Sequence, residues 1–304
     1  MKRIAPALPK GIYRAATQSQ KHSPGAHIAT RVAVTGSNHL NGNSFPAVVS
    51  FAVVSFMNDL KNYIAPNDLL KGRVILVTGA GQGIGRTAAL TYAAHGATVI
   101  LHGRNVKKLE SVYDEIEARG GAQPSIFPLD LEKAGDKDFA AIAHAIKLQL
   151  GRLDGILHNA ALLFNLTPLE TQTLEEWLAL LRVNLIAPFA LTRACLPLLK
   201  ASPDASVIMT SDTHGHVPAA YWGGFAVAKA GVEVLVKIQA QEWEILPTLR
   251  INALIPGPVH TPQRTRTHPG EVKQSLRQPQ ELMSCYLYLM GPDSKAVSGK
   301  TMIC

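Results

Sequence analysis

From residue 71 onward the chain alternates two rhythms: short β-branched runs, and longer stretches with apolar positions three and four apart. Residues 73–77 (RVILV) form the first run and end in a glycine cluster. A helical stretch follows over 84–95, with Ala88, Ala89, Tyr92 and Ala93 at helical spacing, and 97–101 (ATVIL) reads as a second strand. Strand, glycine-rich turn, helix and strand open a βαβ unit. The alternation continues through a helix at 105–119, a strand at 125–129, a helix at 139–150 and a strand at 155–158. Phe139, Ile142, Ala143, Ile146 and Leu150 share one stripe of that third helix. A long helix within 173–200, a strand at 207–210, a helix at 222–246, a strand at 250–255, a helix at 281–290 and a final strand opening at 300–303 complete the order. Such alternation predicts a single α/β domain, doubly wound, with a mostly parallel sheet and helices on both faces.

Residues 1–65 do not share this rhythm and read as a poorly structured basic extension, leaving 66–304 as the domain. Residues 1–45 are rich in Ser, Asn, Gly, Pro and His without periodicity. The apolar run at 45–57 (FPAVVSFAVVSFM) falls well short of the roughly 20 residues that span a bilayer. It also lacks the small-residue cleavage pattern of a secretory signal. The stretch loosely resembles an organelle transit peptide, though no Arg-rich amphipathic helix is evident, and Met57 is a sensible start for the coherent pattern.

Composition narrows the picture further. At 47% hydrophobic and 17% charged residues, the chain reads as soluble and globular, with no membrane partner. Six basic residues and no acid precede Asp59, so most of the net charge of +8 belongs to the extension. A nearly neutral domain disfavours nucleic acid as a partner. The three cysteines (Cys195, Cys285, Cys304) are widely spaced, which argues against a disulfide framework or a metal site and for a reducing, cytoplasmic setting.

Chemistry enters at the first turn, Thr78-Gly79-Ala80-Gly81-Gln82-Gly83-Ile84-Gly85. Gly79 and Gly83 let the backbone turn tightly beside a pyrophosphate, Gly85 lets the helix pack on the strand, and the helix N-terminus offers free N–H groups to phosphates. The T-G-x-x-x-G-I-G spacing resembles that of the short-chain dehydrogenase/reductase family. The resemblance extends over residues 71–304: Asp130 after the third strand, His158-Asn159-Ala160-Ala161, Asn184 in the long helix, and Pro256-Gly257-Pro258-Val259-His260-Thr261 all match at family spacing. Within the family, Arg152-Leu153-Asp154-Gly155-Ile156-Leu157-His158-Asn159 and the tail at 286–291 look most like the bacterial YciK-type oxidoreductases.

The resemblance implies a Rossmann fold and hydride transfer between a nicotinamide cofactor and a small carbonyl or alcohol. It assigns Asp130 to the adenine region, Asn159 to the cofactor wall, and Pro256, Gly257, Val259 and Thr261 to the nicotinamide side. Cofactor choice rests on the end of the second strand, where a carboxylate would select NAD(H). The chain has His102-Gly103-Arg104-Asn105 there, and Arg104 can pair with a 2′-phosphate, so NADP(H) is expected, with NAD(H) the alternative.

Two expected catalytic residues are replaced. In the family a tyrosine four residues before a lysine donates the proton, and a serine thirteen before the tyrosine holds the substrate oxygen. Lys229 and Asn184 are present, but Phe225 and Asp212 occupy the tyrosine and serine positions. Phenylalanine has no proton to donate, and an ionised aspartate puts negative charge where an oxyanion must develop. Asp212 is a candidate ion-pair partner for Lys229, and Ser211, Tyr221, His214 and His216 are the neighbouring candidates to take over. Two readings follow: an oxidoreductase with impaired or rearranged proton transfer, or an inactive NADP(H)-binding pseudoenzyme with a sensing or structural role. The resemblance also implies a homodimer, with a tetramer as the alternative.

Overall fold

The computed structural model describes residue 60 and residues 62–304, and the apolar run at 45–57 lies outside the described residues. Seven strands form one sheet: β1 (Val74–Thr78), β2 (Thr98–Gly103), β3 (Ser125–Pro128), β4 (Gly155–His158), β5 (Ala205–Thr210), β6 (Leu249–Ile255) and β7 (Thr301–Ile303). Every pair is parallel, in the order β3-β2-β1-β4-β5-β6-β7. The chain builds outward from β1 to β3, then returns to lay β4 on the other side of β1. That reversal opens a crevice at the carboxyl ends of β1 and β4.

Parallel neighbours need crossover connections, and helices supply them. They are α1 (Gly83–Ala94), α2 (Val106–Ala118), α3 (Asp136–Leu150), α4 (Leu174–Leu181), α5 (Ala187–Ala201), the one-turn α6 (Thr213–His216), α7 (Gly223–Glu242), the short α8 (Pro262–Thr267) and α9 (Met283–Met290). Alternating side chains of β1 feed two cores. Ile75 and Val77 pack with Tyr92, Val112 and Tyr286 on one face, and Val74 and Leu76 with Ile142, Leu191 and Val232 on the other.

The observed elements depart from the sequence pattern at several ends. The long helix expected within 173–200 is split between α4 and α5 by a π turn, Arg182–Ile186. The continuous run Leu174–Ala201 is apolar enough to cross a membrane by length and composition, yet 56% of its most apolar window is buried against the protein. The third helix starts at Asp136 because the Asp138 carboxylate accepts from the Gly135 N–H at 2.9 Å, closing a first turn that carries no apolar stripe.

One expectation is overturned. Cys285 of α9 and Cys304 form a disulfide, with Cα atoms 6.1 Å apart, while Cys195 stays free and buried. Only the pairing of β7 on β6, extended by Cys304 N–H donating to Ile255 O at 2.9 Å, carries Cys304 over α9. Spacing along the chain held no trace of that meeting, and the argument for a reducing setting loses its basis with it. Among the described residues no cluster of His, Cys, Asp and Glu could hold a metal ion.

Candidate active site

The crevice is shaped first by Thr78, at the end of β1. Its hydroxyl accepts from the N–H groups of Asn159 and Ala160, at 3.0 and 3.1 Å, and so ties the ends of β1 and β4 together. Gly79 follows with φ of 69°, and a Cβ there would lie 2.9 Å from the Ala160 backbone. On Gly85 a Cβ would come within 2.6 Å of the Asn159 side chain. Gly83 has φ of 55° and faces Thr261, whose methyl would sit 3.3 Å from an added Cβ. The turn is therefore a bare backbone cradle that side chains would fill.

Helix α1 begins in this cradle without a side-chain cap. Its first N–H groups are left for an anion, and the helix dipole adds to their attraction. The Gln82 side chain accepts instead from Lys108 Nζ. A pyrophosphate fits this arrangement in shape and in charge.

The cleft above the cradle has a volume of about 450 Å³. Its walls bring together Gly79, Gly83, Ile84 and Asn159 on the strand ends, and Pro256, Gly257, Val259 and Thr261 after β6. Asp212, Phe225 and Lys229 line it as well. Thr78, Gly85 and Asn184 stand behind the walls and shape them.

At the far end, Arg104 Nη1 lies 3.8 Å from Asp130 Oδ1, both groups open to the cleft. Lys108, which the sequence reading passed over, lines the same end. Asn105 caps α2 by accepting from Lys108 N–H at 3.1 Å, so the two cations flank the start of that helix. A lysine four residues past Arg104, across a cap, was the available signal.

Two histidines lie buried at the strand ends. His158 Nε2 is 2.7 Å from Thr192 Oγ1, and burial, aided by His102 and Lys229, pushes its pKa down to about 3. Burial lowers His102 to about 4, and neither of its ring nitrogens has a hydrogen-bond partner. Both rings are neutral in the folded protein at neutral pH.

The corner around Asn184 and Lys229 is held by specific contacts. The π turn presents Asn184 so that Nδ2 donates to Leu180 O and Leu162 O, at 2.9 and 2.8 Å, while Oδ1 accepts from Leu162 N–H at 3.2 Å. This side chain fastens the segment after β4 to the helix. Lys229 Nζ donates to Thr210 O at 2.8 Å and lies 5.5 Å from the Phe225 ring centroid. Burial lowers the Lys229 pKa to about 8, and Asp212 opposes the shift through space. The direct Asp212–Lys229 pair suggested by the sequence is replaced by these separate contacts: Asp212 Oδ1 accepts from His214 N–H at 2.8 Å and caps α6.

The neighbouring candidates make other contacts. Ser211 Oγ donates to Glu233 Oε1 at 2.8 Å, and His216 Nδ1 lies 2.9 Å from Glu233 Oε2, so both are engaged by one α7 carboxylate. Tyr221 precedes α7 with φ of 74° and is 56% exposed. His214 stacks on Trp222 at 4.0 Å between ring centroids. Across the cleft, His268 approaches Trp222 at 5.7 Å, from the segment after β6.

Known proteins carry the same plan. The sequence model described as short chain dehydrogenase matches residues 73–271. The uncharacterized oxidoreductase YciK of Escherichia coli K12 is 42% identical over 240 residues, covering 79% of this chain and 94% of YciK. A putative short chain dehydrogenase from Pseudomonas syringae superposes with TM-score 0.78 at 44% identity, covering 79% of this chain and 98% of its own. A putative short chain dehydrogenase from E. coli CFT073, solved in complex with NADPH, gives TM-score 0.76 at 42% identity, covering 78% and 98%. With the glycine cradle, the reversal of strand order and the retained lysine in place, this chain belongs to the short-chain dehydrogenase family.

Proposed function

We propose that the protein binds NADP(H) and interconverts a small carbonyl compound and its alcohol, with proton transfer moved away from the family's tyrosine position. The observation that carries this reading is Lys229. It is buried, held on Thr210 O, and opens onto the same cleft as the glycine cradle. The bound dinucleotide would supply hydride to the substrate carbon. The cradle and the α1 N-terminus would hold its phosphates, and Arg104 and Lys108 its 2′-phosphate, as charge-assisted contacts. The structure of the E. coli CFT073 relative with NADPH supports this choice over NAD(H).

The second reading, a cofactor-binding pseudoenzyme, is favoured by Phe225, which is buried without a proton to give, and by the engagement of Ser211 with Glu233. NADPH oxidation over a broad panel of carbonyl compounds separates the two. Turnover by the parent supports the first reading. Activity confined to an Asp212→Ser/Phe225→Tyr double variant overturns it in favour of the second.

Cofactor choice is tested by titrating NADPH and NADH against Arg104→Ala and Lys108→Ala. Each substitution is expected to weaken NADPH by about 10-fold or more, the worth of one charge-assisted contact, and to leave NADH nearly unchanged. Equal affinity of the parent for both dinucleotides would overturn the NADP(H) assignment.

A homodimer fits the surface of the paired helices. Val227, Val234 and Ile238 form an exposed apolar stripe on α7, and Leu178 and Phe189 add to the exposed apolar surface on α4 and α5. Sedimentation is expected to show a dimer in the parent and a monomer in Val234→Glu, which sets a charge in the centre of the stripe. A monomeric parent would remove the proposal.

A further inference from the structure

The proposed carbonyl reduction needs a proton, and the cleft must supply it without a tyrosine at position 225. We propose that His268 is the general acid, donating the proton from Nε2 to the substrate oxygen. The inference rests on the oxidoreductase reading above and deepens it.

Placement is the first argument. Among the histidines and tyrosines flanking the catalytic corner, His268 is the one that lines the cleft. His216 is held by Glu233, His214 is stacked under Trp222, and Tyr221 faces outward. His268 meets Trp222 at 5.7 Å, and Trp222 in turn meets Phe225 at 5.9 Å, so the imidazole stands across the indole from the vacant tyrosine position.

The second argument is the tautomer. Thr267 Oγ1 lies 2.9 Å from His268 Nδ1 and donates to Gln263 O at 3.1 Å. The arrangement that keeps both contacts puts the hydroxyl's one hydrogen on the carbonyl and has Thr267 accept from His268 Nδ1–H. Nε2 is therefore the nitrogen that gains and loses a proton, as a general acid requires.

The third is rigidity. Arg264 grips Glu271 through two hydrogen bonds of 2.7 Å and closes the chain around His268. Arg266 Nη2 donates to Leu163 O at 2.8 Å and ties the same segment to the opposite wall. His268 N–H donates to Arg264 O at 2.9 Å. A group held on all sides can be positioned for proton transfer without losing much freedom in the act.

The charges around the ring come from each neighbouring segment. Its pKa lies below the usual histidine value, lowered by burial first and then by Arg264 and His214, with Glu271 and Asp212 opposing in part. Asp212 acts through space on both His268 and Lys229. An aspartate that would be a liability beside a serine's oxyanion instead favours the protonated imidazole.

In the reduction, hydride forms a C–H bond at the carbonyl carbon and the π pair moves to oxygen. The O–H bond forms as Nε2–H breaks, leaving neutral imidazole that regains its proton from solvent. NADPH is the reductant and leaves as NADP⁺. Alcohol oxidation runs the same steps backward, with neutral Nε2 as base.

The experiment combines two measurements on the full chain. On the carbonyl that the parent turns over best, His268→Gln is expected to lose about 100-fold or more in kcat, the usual worth of a general acid, with NADPH Kd from fluorescence titration unchanged. The parent's kcat should fall as pH rises through the titration of His268, and the variant's profile should lose that limb. Independently of any cofactor, nitrogen-15 NMR of the free protein should show His268 protonated at Nδ1 when neutral, with a pKa that drops in Asp212→Asn. A His268→Gln kcat within about threefold of the parent's overturns the role of His268 alone, as does an Nε2–H tautomer. A parent inactive on every carbonyl, beside an active Asp212→Ser/Phe225→Tyr variant, overturns the oxidoreductase reading itself.

Discussion

With His268 changed to Gln, replacing Phe225 by tyrosine and Asp212 by serine together is expected to raise carbonyl reduction by about 100-fold or more, the range in which a positioned general acid contributes. The scaffold for this gain is already present. Lys229 Nζ lies 5.5 Å from the Phe225 ring centroid, close enough for an ammonium to lower the pKa of a phenol on that ring. Phe225 is buried in a small cluster with Leu163, Leu180 and Trp222, so its ring is held in place rather than free to turn away. Phe225→Tyr alone should gain less, because Asp212 leaves negative charge beside the developing oxyanion. Asp212→Ser alone, with His268 intact, should gain little or lose activity, since it adds a hydroxyl but removes the carboxylate that favours His268 in its acid form. The full cycle of kcat values reads the coupling directly. A double replacement that leaves His268→Gln no faster would show that the substrate oxygen sits away from the family position.

The second large effect concerns acid stability. His102 and His158 are fully buried, with pKa values lowered from the usual histidine range to about 4 and about 3. A lowered histidine pKa means that the unfolded chain binds more protons than the fold does between that value and about 6.5. Stability is thus fully present above about pH 6.5 and is lost as pH falls toward 4. At about 1.4 kcal/mol per pKa unit, the two rings together account for on the order of 5 kcal/mol by pH 4.5, a large share of a typical domain's stability.

Buried carboxylates act in a different window. Burial raises Asp154 and Asp204, but hydrogen bonds and charge from Arg152 and Ser202 on the first, and from Arg250 and Arg73 on the second, outweigh it and hold both below the usual range. Their contributions are lost only below about pH 4, as the carboxyls protonate. Denaturant unfolding at pH 7 and pH 4.5 should therefore show the effect of the two histidines almost alone. His102→Leu should remove roughly half of the difference and stabilise the protein at pH 4.5, because it deletes two ring nitrogens that have no partner. An unchanged pH dependence in that variant would show that His102 finds a proton partner in solution.

Much of the fold was legible in the residue pattern because its cause is local. A parallel sheet buried on both faces demands β-branched runs such as 73–77, and each crossover demands a stripe like that of Phe139, Ile142 and Ile146, so the alternation of elements follows from periodicity alone. The glycine turn was equally legible, because Gly79 and Gly83 need a backbone conformation and a closeness that other residues resist. The placing of Asp212 and Phe225 near Lys229 was likewise legible, from their spacing along one strand, loop and helix.

Tertiary structure alone decided the remainder. Residues that meet across the cleft are far apart in sequence: His268 reaches Trp222 from the segment after β6, and the Asp212 charge reaches both His268 and Lys229. The Cys285–Cys304 bond exists only because β7 pairs with β6 above α9, and Ser211 is removed from the chemistry by a carboxylate one helical turn beyond Lys229. Periodicity reports which face a residue presents to its own neighbours. Which charges and rings converge on a common cavity depends on how the helices and loops pack over the sheet, and no local pattern carries that distance.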